Sequence, residues 1–195
     1  MSNLAYKLNE TFTYADYSSW DTSDMKSGER FELIDGIAYA MSAPVAKHQK
    51  ILRELSGLLW SFLKGKPFEV FTAPFDVRLF PEDDESDTTV VQPDILVICD
   101  KSKLSDGRAC KGAPDLIIEI LSPASVMMDR QIKAEKYRIA GVKEYWIVNP
   151  DTLDIMINRL ADGRYVSAVY TDIAESAVLP GFKVDLNSVR MDVTI

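Results

Sequence analysis

The spacing of apolar residues changes period several times along the chain, and each period predicts an element. Thr13 can cap a short helix that packs through Tyr14, Tyr17 and Trp20. After a polar linker, Asp21 to Glu29, the runs Phe31 to Ile34 and Ile37 to Met41 flank Asp35-Gly36, a strong short-range signal for a β-hairpin. From Val45 the period lengthens. Val45, Ile51, Leu52, Leu55, Leu58, Leu59 and Phe62 recur at helical spacing as far as Gly65, predicting an amphipathic helix over Val45 to Leu63. Phe68 to Thr72 and Asp76 to Phe80 have strand composition, broken at Pro74.

The stretch from Val90 to Pro150 has the densest pattern. Ile95 to Ile98 and Leu116 to Leu121 are apolar runs of strand length, Asp129 to Ala140 is a charged helical segment stopped by Gly141, and Glu144 to Val148 is a further strand. A second hairpin, Leu153 to Leu160 with Tyr165 to Tyr170, turns at Asp162-Gly163 and would extend the sheet or pair with a second subunit. The tail from Pro180 to Ile195 is assigned no function. Strands alternating with helices in the second half, and hairpins at both ends, predict the α/β class with a mixed central sheet and the two long helices packed on it. One domain over residues 1–195 is expected at this length.

Two of the strands carry acids where a buried strand normally carries aliphatics: Asp94 opens the first and Glu119 lies inside the second. A carboxylate among branched aliphatics is costly unless a cation compensates it, and a second acid beside it raises the cost unless a metal ion lies between them. Asp115 and Glu119 share a strand and a face but stand roughly 13 Å apart, too far for one ion. Asp94, from a neighbouring strand, is the candidate partner. With the Ile120 carbonyl, Asp94 and Glu119 make an all-oxygen set suited to magnesium or manganese. Asp129, Lys133 and Tyr137 follow at four-residue steps on one helical face, so Lys133 can fold back beside these acids while Tyr137 is expected to pack. His48, near the start of the Val45 helix and off its apolar stripe, is either incidental or a proton carrier. Asp76 caps a turn or supports the site.

Composition narrows the choices. Two cysteines and one histidine cannot complete a zinc site without acids. No apolar run reaches membrane-spanning length and the amino terminus lacks a signal-like core, so a cytoplasmic location is expected. A net charge of −8, partly from the acidic turn Pro81 to Asp87, opposes long-range attraction to nucleic acid.

The run P-D at Pro93-Asp94, then Pro114-Asp115 with Glu119-Ile120-Leu121, then Asp129, Lys133, Tyr137 and Gly141 to Trp146, resembles the Uma2 family of restriction-endonuclease-like proteins, a branch of the PD-(D/E)XK nuclease superfamily. The similarity extends to Phe31 to Tyr39, His48 and Pro74 to Leu79, so it covers most of the chain. The usual superfamily lysine, two residues after the glutamate, is Leu121 here, and Lys133 on the next helix takes its place. The resemblance implies a restriction-endonuclease-like core, a homodimer, and a Mg-dependent endonuclease acting on DNA. Glu32 then becomes an additional site acid and His48 a phosphate contact or proton relay. The alternative is a catalytically inactive binding or assembly module that keeps the fold.

Overall fold

Asp35 (φ 51°) and Gly36 (φ 79°) both turn through the left-handed region, as a two-residue hairpin requires. They join β1 (Arg30–Ile34) to β2 (Ile37–Met41) in antiparallel register. A Cβ at position 36 would stand 2.9 Å from the Thr11 Cβ, so close packing as well as dihedral angle reserves the place for glycine. The computed structural model describes residues 11–20, 30–123 and 125–193; the linker Asp21 to Glu29 lies outside them.

Three short strands complete the sheet begun by this hairpin: β4 (Asp76–Arg78), β5 (Val90–Val91) and β7 (Ala109–Lys111), the order being β2-β1-β5-β4-β7. A second sheet has six strands. These are β3 (Glu69–Thr72), β6 (Ile95–Ile98), β8 (Leu116–Ile120), β9 (Glu144–Val148), β10 (Ile155–Ala161) and β11 (Arg164–Tyr170). Their order is β11-β10-β9-β8-β6-β3, so the second hairpin extends this sheet. Both sheets are mixed, through the parallel pairs β4 with β7 and β8 with β9. The α/β class with mixed strands stands, but where one central sheet was expected the described strands divide between these two sheets and a smaller two-stranded one. At two and three residues, β5 and β7 are too short to register as a period in the sequence.

The central strands β6, β8 and β9 of the six-stranded sheet are buried on both faces, and strand alternation sorts their residues. Ile95, Val97, Leu116, Ile118, Ile120, Trp146 and Val148 face α2 (Ala46–Leu63). Leu96, Ile98, Ile117, Leu121, Tyr145 and Ile147 face the five-stranded sheet and α3 (Ala134–Ala140). Glu119 falls in the second series. Its carboxylate is thereby sent into the seam between the two sheets.

One expectation changes here, and two further regions gain a structural role. The α2 stripe that packs on the sheet is His48, Ile51, Leu55, Leu59 and Leu63, while Val45 is the N-cap and 66% exposed. His48 therefore continues the buried stripe instead of lying off it; the apolar pattern misses it because the residue is polar. The acidic turn is not wholly solvated, because Asp87 makes a buried two-pronged ion pair with Arg78, whose guanidinium lies over the Tyr14 ring of α1 (Tyr14–Ser19). The tail is structural. Lys183–Asp185 forms β13 against β12 (Ile173–Glu175), and Leu186–Val193 forms α4, which buries Leu186, Val189 and Val193 in the α2 core.

Gly141 ends α3 at φ 92°, its N–H returning to the Tyr137 and Arg138 carbonyls. No atom stands within 4 Å of a Cβ built there, so only the backbone resists substitution. Gly141→Ala should lower stability by about 1–2 kcal/mol, read from a denaturant midpoint at unchanged slope.

Candidate active site

The site begins with strand register. β6 and β8 pair antiparallel with Ile95 opposite Ile118 and Leu96 opposite Ile117. One residue further, the same register sets Asp94 opposite Glu119, on the face that looks into the seam. The two acids interlock through the main chain: the Asp94 N–H donates to Glu119 Oε2 at 3.2 Å, and the Ile120 N–H donates to Asp94 Oδ2 at 2.8 Å. Asp115, at the start of the same strand, is removed from this arrangement. It accepts from the Cys99 N–H and pairs with Lys143 at 2.6 Å, which holds its carboxyl below the usual range against the opposing effect of burial.

Lys133 arrives from the far side of the seam. The segment Met128–Lys133 is π-helical and runs into α3, so the steps from Asp129 to Lys133 span a widened turn. Lys133 is 2% exposed, with its ammonium 2.5 Å from Glu119 Oε1, 2.8 Å from Glu32 Oε1 and 3.7 Å from Asp129 Oδ1. Tyr137 packs on Tyr145 and also donates its hydroxyl to Glu119 Oε1 at 2.9 Å, so it orients the carboxylate as well as filling space. The Tyr145 hydroxyl donates to the Asp129 carbonyl.

His48 closes the fourth side. Its Nε2 is 3.1 Å from Asp94 Oδ2, while its buried Nδ1 has no partner among the described residues. Glu32, Asp94, Glu119, Lys133 and His48 are thus brought together from β1, the residue before β6, β8, the π-helical turn and α2.

The network behind Glu32 was not legible from sequence. The Gln92 main-chain N–H donates to Glu32 Oε1 at 2.8 Å, and its side-chain amide donates to Asp76 Oδ1 and the Tyr17 hydroxyl. Tyr17 in turn donates to Asp76 at 2.9 Å. Asp76 therefore supports the site instead of capping a turn, and α1 reaches the site through Tyr17. A glutamine acting through its backbone leaves no mark in a pattern of residue types. The Pro93-Asp94 that follows it was the nearest available signal.

Three carboxylates, those of Glu32, Glu119 and Asp129, surround one ammonium, and a fourth, that of Asp94, adjoins Glu119. Burial pushes the Glu119 carboxyl well above its ordinary range; Lys133 opposes this, while Asp129, Asp94 and Glu32 add to it. Asp129 is raised by burial in the same way. Burial works against the Lys133 charge, yet Glu119, Glu32 and Asp129 outweigh it and hold the ammonium well above the ordinary lysine value. The cluster is thus short of positive charge. Among the described residues no three His, Cys, Asp or Glu side chains form a ready cage for an ion. Asp94 and Glu119 would need a main-chain oxygen to complete a set. The residues nonetheless fit a hard cation: Asp94 Oδ1 has no hydrogen bond among the described residues, the donors are oxygens, and the charge deficit favours a cation.

Comparison with known proteins agrees with this architecture. The family model Uma2, described as "Putative restriction endonuclease", matches residues 14–189. Two uncharacterised proteins of Synechocystis sp. are similar in sequence. One, sll1609, is 29% identical over 62% of this chain and 67% of its own; the other, slr1290, is 24% identical over 80% and 78%. The crystal structure of a protein from Anabaena variabilis, titled a putative nuclease belonging to DUF820, superposes with a TM-score of 0.74 at 17% identity, covering 94% of this chain and 99% of that one. Among the described residues no helix is long and apolar enough to cross a membrane. With this fold and a match across nearly its whole length, the chain belongs to the Uma2 family of restriction-endonuclease-like proteins.

Proposed function

We propose that this protein is a metal-dependent endonuclease that hydrolyses phosphodiester bonds in DNA. The observation that carries the reading is the register that sets Asp94 opposite Glu119 while Lys133 bridges Glu119 and Glu32. Asp94, Glu119 and the Ile120 carbonyl would hold magnesium or manganese, with Glu32 as a further acid. Such an ion, when bound, supplies Lewis acidity toward water and phosphate oxygen.

The protein's own groups divide the remaining work. Lys133 stays charged, so it is not the base; its ammonium steadies negative charge developing at the phosphate or orients the attacking water. His48 presents Nε2 to Asp94 and has no partner for Nδ1 among the described residues, an arrangement suited to passing a proton or contacting phosphate. Tyr137 and Gln92 fix the orientations of Glu119 and Glu32.

The test is cleavage of plasmid and oligonucleotide DNA by wild type, Asp94→Ala and Glu119→Ala, with magnesium, with manganese and with chelator. Wild type should cut only with metal, and both variants should fall to background. Cutting that survives both substitutions would overturn the reading. An inert wild type that binds neither metal in calorimetry would assign the chain to the other class, a module that keeps the fold for binding or assembly.

A further inference from the structure

A chain of net charge −8 cannot draw in a polyanion by its overall field. Affinity for a phosphate backbone must come from cations left uncompensated where the backbone passes. Among the described residues nearly all lysines and arginines are already engaged. Lys47 is on Asp151, Lys101 on Glu69, Arg108 on Glu85, Lys136 on Asp35, Arg138 on Glu135 and Lys183 on Glu175. Among the described residues, the guanidiniums of Arg30, Arg130 and Arg164 have no carboxylate, carbonyl or ring partner.

Two of these three lie beside acids of the carboxylate cluster along their own elements. Arg30 lies two residues before Glu32 on β1, hence on the same side of the strand and about 7 Å along it. Arg130 follows Asp129 in the π-helical turn and is exposed where Asp129 and Lys133 are buried. Arg164 is elsewhere. The row of residues running from Glu119 through Ile147 and Met156 ends at Val169, so Arg164 stands three strands across and five residues along, roughly 20 Å away.

We propose that Arg30 and Arg130 are the phosphate-binding positions that hold duplex DNA beside the cluster. The inference rests on the nuclease reading and assigns the grip of that same site on its substrate. An unpaired guanidinium donates to phosphate oxygens without first giving up an internal ion pair. Each such contact releases close to one condensed counterion, which makes its contribution measurable through salt alone.

The experiment is a titration of a fluorescent DNA duplex between 50 and 200 mM salt, with calcium replacing magnesium, on wild type, Arg30→Gln, Arg130→Gln, the double variant and Arg164→Gln. Each of the first two should lower the slope of log affinity against log salt by about 0.9, equivalent to about a threefold smaller loss over that range, and the double variant by about twice as much. Arg164→Gln should leave the slope as it is. Arg30 is half-buried, so Arg30→Lys, which keeps the charge and should keep the slope, separates lost contact from lost structure. Unchanged slopes in Arg130→Gln, an equal drop in Arg164→Gln, or no duplex binding by wild type at 50 mM would overturn the proposal. Binding is read without turnover, so a chain that grips DNA but never cuts keeps this inference and loses the nuclease reading. One that cuts with slopes indifferent to the arginines does the reverse.

Discussion

Lys133→Met should lose about 3–5 kcal/mol of stability near neutral pH, the cost of removing one partner from a buried ion pair, and should lose cleavage as well. The methionine nearly matches the lysine stem in volume, so the loss is electrostatic and leaves little cavity behind. What remains is Glu32, Glu119 and Asp129 facing one another with no ammonium among them. The effect should depend on pH with a definite sign. Glu119 and Asp129 already have raised folded-state values, first through burial. A raised carboxyl contributes stability that is fully present below its unfolded value, near 4, and is lost as pH rises through the folded one. Removing Lys133 takes away the main influence holding both values down, so the variant should be closest to wild type near pH 5 and fall away from it toward pH 8. Lys133 itself is raised in the fold, so its contribution to wild type persists through neutrality and is lost only above the ordinary lysine value. Denaturant midpoints at pH 5, 6.5 and 8 measure this. A stability difference that is flat or larger at pH 5 would mean that the acids do not depend on the lysine.

That a lysine would stand among the acids could be anticipated because acids in apolar strands demand explanation. Asp94 and Glu119 interrupt runs of Ile, Leu and Val, and alternation then says which side of the strand each occupies. The four-residue steps from Asp129 to Tyr137 survive even though part of that segment is π-helical, since a widened turn shifts the face without dispersing it. Other features left weaker traces. β5 and β7 owe their place to the neighbours they pair with, and two or three residues carry no period of their own. His48 belongs to a buried stripe, but a hydrophobicity pattern passes over it because the residue is polar. Tyr17, Asp76 and Gln92 act on Glu32 at sequence separations of 15, 44 and 60, where only the folded topology decides which side chains meet. The tail reads as unremarkable because its strand and helix are short, yet α4 closes the core over α2.

The charge deficit at the cluster also predicts the protein's response to metal. Manganese at about a hundred times its dissociation constant should raise the unfolding free energy by about 2.7 kcal/mol, by mass action on the folded state alone. The affinity should rise with pH, because Glu119 is held protonated to an unusually high pH by burial and by its neighbours, and a proton there competes with the ion. Asp94→Asn isolates the cause. An asparagine oxygen can still accept the Ile120 N–H that Asp94 Oδ2 accepts at 2.8 Å, so the strand ends stay joined and the metal-free variant should melt within about 1 kcal/mol of wild type. Its manganese-induced stabilisation should nevertheless disappear, and its cleavage rate should fall by at least about a thousandfold, the kinetic equivalent of several kcal/mol of lost electrostatic help. Thermal melts with and without manganese, run beside cleavage assays on the same samples, read both effects. Should Asp94→Asn keep the full manganese shift, the ion binds elsewhere and the Asp94–Glu119 pair is not its seat. Should it lose the shift while cutting at the wild-type rate, the hydrolysis does not pass through this site.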